Sequence, residues 1–257
     1  MKSNLDAAVE AVLEAGVSLK QAFGNVKLLK HKEDQSVVTQ LDIDTEASIE
    51  KKLRTHDSAI GFAGEESGVR TKADRFWLLD PIDGTQHFLR GIPFCTTMLA
   101  LIEDRQVVLS VIYNFVTGEL FTAEKGKGAR CNGAPIHVSS RSLSESLIAV
   151  EAKLEREEHV SLYLELRKKT NVMQTVSAGY DFCLVASGKV EGRICFDPHG
   201  KDWDYAAGSL LVSEAGGVVA NIGKTTYDFT DHDFLMTNKE VYEELTTGES
   251  VLFPIIH

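Results

Sequence analysis

The chain is short of positive charge. Its 257 residues carry 27 Lys and Arg against 38 Asp and Glu, for a formal net charge of −11, and a field of that sign repels phosphate backbones and anionic lipid alike. Nucleic acid and membrane surfaces are therefore not expected partners. A phosphorylated small molecule would be repelled as well, unless bound cations invert the local sign. Cysteine is also scarce: Cys95, Cys131, Cys183 and Cys195 are scattered with no CxxC pair, which argues against a zinc site and against a secreted disulfide framework. The eight histidines show no metal-ligand spacing. No apolar run approaches the roughly 18 residues of a membrane span. The start, Met1-Lys2-Ser3-Asn4-Leu5-Asp6, lacks the basic and apolar regions of a signal peptide. The expected compartment is a reducing cytoplasm.

Long Pro/Gly/Ser linkers, internal repeats and low-complexity tracts are missing too, so one large domain or two closely packed halves is expected. A polar stretch at Ser139-Ser140-Arg141-Ser142 marks a soft boundary between residues 1–140 and 141–257. With 43% hydrophobic residues, a chain of this size buries roughly 70 to 75% of its unfolded surface and needs no staple. A metal here would serve chemistry instead.

Apolar spacing predicts a first helix from Asn4, as its cap, to about Phe23, ended by Gly24, and a second from about Asp42 to Arg54. The polar segment Lys27 to Gln40 between them reads as a hairpin. Phe76-Trp77-Leu78-Leu79 reads as a buried strand ending at Asp80-Pro81, and Thr96–Glu103 with Val107–Asn114 as a hairpin followed by a strand at Glu119–Ala123. The second half alternates: strand Leu147–Val150, helix Glu155–Lys169, strand Val172–Thr175, helix Tyr180–Ala186, strand Arg193–Phe196 and helix Asp204–Ala215, closed by Gly216-Gly217. Such alternation implies a layered α/β protein.

The informative feature is where the carboxylates fall. Glu65 and Glu66 lie in Gly64-Glu65-Glu66-Ser67-Gly68, Asp80 and Asp83 bracket Pro81-Ile82, and Asp204 opens a helix after Trp203. Loops beyond strand ends are where layered α/β proteins bind ligands. Acids collected there repel one another and need protons or a cation; Mg2+, a hard cation shared between carboxylates, water and phosphate, meets that need. Taken singly, each acid reads more plainly as a loop cap or solvated charge. The run Asp80-Pro81-Ile82-Asp83-Gly84-Thr85 combines more. Pro81 stiffens the strand exit, the Ile82 carbonyl can face a cation, Gly84 permits close backbone approach, and Thr85 offers a hydroxyl. If Gly84-Thr85-Gln86 opens a helix, its free amides make an anion site; alternatively Asp83 is simply the N-cap.

These pieces resemble the inositol monophosphatase family, part of the lithium-sensitive, Mg2+-dependent sugar phosphatases. The matching segments are Val38-Thr39-Gln40-Leu41-Asp42, Gly64-Glu65-Glu66-Ser67, Trp77 to Thr85, and Trp203-Asp204-Tyr205-Ala206-Ala207-Gly208 followed by Glu214-Ala215-Gly216-Gly217. They occur in the family's order along almost the whole chain. The resemblance implies an α-β-α-β-α sandwich, often homodimeric. It gives one metal to Glu65, Asp80 and the Ile82 carbonyl, a second to Asp80, Asp83 and Asp204, and a third, looser Mg2+ near Glu65. Thr85, supported by Asp42, would orient and deprotonate a metal-bound water, with Glu66 also assigned to the catalytic group. The Gly84 and Thr85 amides would hold phosphate, and Ser177, Ala178 and Asp197 would contact the rest of the substrate.

The sequence departs from the family at Val176, where Gly commonly precedes the Ser-Ala pair, and at Met173, where Arg is frequent; His87 stands where Asn is frequent. The leading expectation is a phosphomonoesterase acting on a small polyol or sugar monophosphate, foremost inositol 1-phosphate. A 3'(2'),5'-bisphosphate nucleotidase and a fructose-1,6-bisphosphatase share the metal motif, and a catalytically silent binding protein is the alternative of a different class. Among other features, Cys183 reads as a core residue, Gly126-Lys127-Gly128 as a β-turn, and Lys168-Lys169 as a solvated helix end.

Overall fold

A computed structural model describes residues 2–25, 27–28, 30–31, 37–68, 71, 73–247 and 251–256. Helix α1 (Asn4–Ala22) is followed by the short antiparallel pair β1 (Lys30–His31) and β2 (Val37–Val38), then by α2 (Gln40–His56). The pairing matches the expected hairpin, whose tip, 32–36, lies outside the described residues. Both helices start earlier than their apolar pattern indicates because polar caps set the ends. Ser3, not Asn4, caps α1 by accepting from the Asp6 amide, and Thr39 caps α2 by accepting from Leu41 and Asp42.

A seven-stranded sheet follows, built from β3 (Gly61–Gly64), β4 (Arg75–Asp83), β5 (Thr96–Glu103), β6 (Gln106–Asn114), β7 (Glu119–Glu124), β8 (Ala129–Cys131) and β9 (Ala134–Pro135) in that spatial order. The short helix α3 (Thr85–Arg90) sits between β4 and β5. The second half contributes β10 (Leu147–Ala152), α4 (Glu157–Lys169), β11 (Asn171–Met173), α5 (Ala178–Ala186), β12 (Gly192–Phe196), α6 (Asp202–Glu214), β13 (Val218–Asn221), β14 (Phe234–Thr237) and α7 (Lys239–Thr246). Its strands form a five-stranded sheet in the order β11-β10-β12-β14-β13.

Strand alternation sorts the side chains into layers. On the first sheet Trp77, Leu79, Leu99 and Leu101 face α1 and α2, where Ala8, Val12, Ile49 and Leu53 close the contact. Leu78, Met98, Ala100 and Ile102 point the other way, onto Phe182 of α5 and Leu211 of α6. The second sheet covers those same helices with Cys195, Phe234 and Met236, and turns Ile194, Phe196 and Leu235 outward to Leu166 of α4 and Val241 and Leu245 of α7. The order is therefore helix, sheet, helix, sheet, helix: the expected α-β-α-β-α sandwich. Helix α6 lies in the middle layer, and every residue from Tyr205 to Val212 is buried. A helix enclosed on both sides must be apolar all round, which explains the run Tyr205-Ala206-Ala207-Gly208-Ser209-Leu210-Leu211-Val212.

The strand expected to stop at Asp80 continues to Asp83. Asp80 pairs with Met98 and Asp83 with Thr96, so three steps on β4 oppose two on β5. One extra residue is thus accommodated in a bulge. Proline is tolerated there because it need not donate, and its carbonyl accepts from Thr97 Oγ1 at 2.9 Å. In a regular strand residues three apart face opposite sides; the added residue brings Asp80 and Asp83 to the same side.

The α5–α6 contact depends on Gly208. A Cβ there would lie 2.0 Å from the Phe182 ring, and both elements are held between sheets. Gly208→Ala is expected to lower stability by about 1–3 kcal/mol through overpacking, read as a shift in the denaturant midpoint with an unchanged slope.

Candidate metal centre

One carboxylate oxygen from each of Asp80, Asp83 and Asp204 lies within 4.8 Å of the others. The β4 bulge delivers the first two, both buried, and the first turn of α6 delivers the half-buried Asp204. Local hydrogen bonds fix them. Ile82 N donates to Asp80 Oδ1 at 3.0 Å, and Lys201 N donates to Asp204 Oδ2 at 2.6 Å. Burial, followed by the charges of Glu65, Asp204 and Asp83, pushes the Asp80 carboxyl well above the ordinary aspartate range. Asp204 is raised likewise by burial and Glu65. Glu65 is close enough for its charge to act on Asp80, so the two acids oppose each other's ionisation. The donors of Asp80, Asp83 and Asp204 are hard oxygens gathered within 4.8 Å of one another, so the arrangement fits a hard divalent cation.

Asp83 is held differently. Its Oδ2 accepts from Ser177 Oγ at 2.5 Å, Gly179 N at 3.0 Å and Thr96 Oγ1 at 3.1 Å, and its Oδ1 accepts from Ala178 N at 2.8 Å. The start of α5, with its unpaired amides and positive dipole end, is thus occupied by the protein's own carboxylate. Ser177 and Ala178, expected at the substrate, direct these donors at Asp83. Burial raises the Asp83 carboxyl, but the Ser177, Ala178 and Thr96 bonds oppose the rise.

Gly84, not Asp83, is the cap of α3; its φ of +77° is left-handed, and a Cβ would approach the Phe94 carbonyl to 2.6 Å. Helix α3 then opens at Thr85. Thr85 Oγ1 lies 2.9 Å from the Ile82 carbonyl and 3.3 Å from Asp42 Oδ1. Asp42 is held in turn by Thr39, whose amide and hydroxyl donate to Oδ2 at 2.8 and 2.5 Å. Glu65 follows the end of β3, its amide donating to the Leu79 carbonyl at 3.1 Å. Glu66, half-buried, is next in the same loop. His87 Nδ1 lies 2.9 Å from the Phe94 carbonyl, on the side of α3.

Asp197 is apart from this group. Its φ is +47°, and its carboxylate is engaged by Lys153 Nζ at 3.0 Å and Arg156 at 3.3 Å. The Lys153 hydrogen bond, helped by the charges of Lys153, Arg156 and His159, holds it below the ordinary aspartate range.

Two buried supports escape sequence reasoning. Arg193, 2% exposed, is ion-paired with Asp181 of α5 and Glu151 of β10. Asp181 also accepts from Thr175 Oγ1 at 2.8 Å, and Glu151 from His199 N at 2.9 Å and Tyr205 OH at 3.1 Å. The triad therefore ties the loop that clamps Asp83 to the loop that leads into Asp204. Glu46 of α2, 4% exposed, accepts from the Glu66 and Ser67 amides. A charged residue in an otherwise apolar strand is the one signal that could have flagged Arg193.

The profile of the inositol monophosphatase family matches residues 1–251. Inositol monophosphatase 1 of Solanum lycopersicum is 32% identical over 252 residues, covering 93% of this chain and 92% of its own. The Nus factor SuhB of Salmonella typhimurium is 31% identical, with 94% and 91% covered. Among solved structures, an IMPase from Thermotoga maritima superimposes with a TM-score of 0.85 at 28% identity, covering 94% of each chain.

Removing the cation of the buried triad leaves two acids without their partner. Arg193→Met is expected to cost about 3–5 kcal/mol of folding stability, measured by equilibrium denaturation; a loss below about 1 kcal/mol would show that the triad is not a support.

Proposed function

The chain belongs to the inositol monophosphatase family, whose members are phosphoric monoester hydrolases, and from that premise we propose a Mg2+-dependent phosphomonoesterase of small polyol or sugar monophosphates, foremost inositol 1-phosphate. The carrying observation is the meeting of Asp80, Asp83 and Asp204 within 4.8 Å beside the Thr85–Asp42 pair. Glu65, Asp80 and the Ile82 carbonyl would hold one Mg2+, Asp80, Asp83 and Asp204 a second, and Glu65 would border a looser third. When bound, such ions supply a low-pKa water and neutralise charge on the attacking and leaving oxygens. The chain's own residues do the rest. Thr85 Oγ1, fixed between the Ile82 carbonyl and Asp42, orients the nucleophile and passes its proton toward Asp42, with Glu66 beside Glu65 as the further acid of the site. The Gly84 and Thr85 amides at the opening of α3 receive the phosphate.

The acid at position 197 and the positions of Ser177 and Ala178 border the alcohol side of the substrate in this reading. A homodimer in the cytoplasm goes with it. A net charge of −11 gives no support for a nucleic-acid partner. Bisphosphate substrates would need added cations, and the cations near Asp197 are already paired with it.

Phosphate release from inositol 1-phosphate is expected only with Mg2+, and Asp204→Asn should lower turnover by about 100-fold or more with little change in melting temperature. Asp83→Asn is a less clean probe, because both carboxylate oxygens accept hydrogen bonds and whichever one its amide NH2 replaces would set a donor against a donor; it should lose stability as well as activity. Near-normal turnover of Asp204→Asn at saturating Mg2+ would sink the assignment.

Thr85→Ala removes orientation and proton acceptance without removing a carboxylate. It should reduce kcat by about 100-fold or more while the Mg2+ concentration for half-activation changes little. Full rescue by added Mg2+ would instead make Thr85 a metal-binding residue.

A further inference from the structure

Helix α2 carries two buried carboxylates one turn apart. Asp42 and Glu46 are at i and i+4, hence on one helix face, and both are buried, at 1% and 4% exposure. Asp42 reaches Thr85. Glu46 reaches the neighbouring loop with both oxygens: Oε2 accepts from Glu66 N at 2.8 Å and Oε1 from Ser67 N at 2.7 Å. This is a fork on two consecutive main-chain amides. The strand end is shaped around it, because a Cβ on Gly64 would lie 2.3 to 2.7 Å from the Glu46 carboxylate atoms. No side chain fits between them, which gives the glycine that precedes Glu65 a specific purpose.

The backbone of Glu65 is thereby fixed from both directions. Its own amide donates to the Leu79 carbonyl, the residue before Asp80, and the next two amides are held by Glu46. A loop residue with its main chain pinned on either side has little freedom left except in its side chain, and the Leu79 bond sets Glu65 beside the strand position next to Asp80. Burying a carboxylate is costly unless hydrogen bonds replace its water. A buried glutamate on a helix whose purpose was only packing would be better replaced by an apolar residue.

We infer that Glu46 is a positioning residue for the candidate metal centre: by gripping the Glu66 and Ser67 amides it sets where Glu65 stands against Asp80, and so tunes the cation site those two share without touching the cation. The inference rests on the proposed reading of Glu65 as a metal ligand. It also divides the labour between two supports. Glu46 serves the Glu65–Asp80 side, whereas the start of α5 and the Arg193 triad serve the Asp83–Asp204 side.

The test is direct cation binding by the full chain, with Mn2+ as probe, counted by electron paramagnetic resonance and by calorimetry without substrate. Glu46→Ala is expected to weaken one class of Mn2+ site by about 10- to 100-fold, the usual effect of removing an outer hydrogen-bond partner, and to leave the other class unchanged. Glu46→Gln retains one acceptor and should fall between Ala and the parent. Ile49→Ala, one turn on in the same helix and buried in the core, is the control for destabilisation alone; it should lower the melting temperature and keep both Mn2+ classes intact. Parent-like Mn2+ binding by Glu46→Ala, or an equal weakening of both classes matched by Ile49→Ala, overturns the positioning role. If the parent itself binds no Mn2+, the metal reading of the whole site fails and this inference fails with it, an outcome distinct from selective failure at Glu46.

Discussion

Mutual repulsion among buried acids is the constraint from which the rest of this structure follows. Asp80, Asp83 and Asp204 come within 4.8 Å with Glu65 beside them, in surroundings that raise each aspartate above its ordinary range. Left to side-chain freedom, like charges in low dielectric would move apart. The fold resists this by taking the acids from rigid places: a strand bulge, the first turn of a buried helix, and a loop pinned at its backbone. Each support spends a hydrogen-bonding group that could otherwise have met water, a cost accepted only where the gathered charge has a use.

The geometry of that use depends on counting residues along β4. Asp80 and Asp83 differ by an odd number, so an unbroken strand would send them to opposite faces. The bulge at Pro81-Ile82 corrects the parity, while the Pro81 carbonyl, received by Thr97, keeps the strand attached to β5. Ile82 contributes from the same bulge, through a carbonyl that already holds Thr85 in place. One irregularity therefore sets two acids, a carbonyl and the hydroxyl that would act on water. Its neighbours have no tolerance for bulk: Gly84 lies against the Phe94 carbonyl and Gly179 within 2.2 Å of Thr96 Oγ1 if a Cβ is added.

Much of this was legible in the sequence because it is local. The acid spacing of Asp80-Pro81-Ile82-Asp83, the turn at Gly84 and the enclosed helix after Trp203 are patterns in single segments, and the periodic elements of both halves follow from side-chain alternation. What stayed hidden depends on pairing between distant segments. The strand through Pro81 could not be read as continuing, since the bulge exists only against Thr96 and Met98. The capping of α1 by Ser3 and of α2 by Thr39 was missed because polar residues just before an apolar pattern carry a weak signal. The fork of Glu46 joins residues 20 and 21 positions apart, the Arg193 triad spans 42, and the Asp83 clamp spans about 95. The contacts of Ser177 and Ala178 with Asp83 are hidden for the same reason, since 94 and 95 positions separate the partners.

The acid cluster and the surroundings of Asp197 are built to different standards. The acid cluster rests on groups with main-chain partners, where replacing one member disturbs several others. Asp197 is a half-buried carboxylate paired with the better-exposed Lys153 and Arg156, and ion pairs near the surface hold their members weakly. Val176 is 60% exposed, and Ser177 directly after it turns inward to Asp83. The change from exposed to enclosed thus occurs between adjacent residues, and substitutions on the enclosed side of that step alter the charge geometry of the acid cluster.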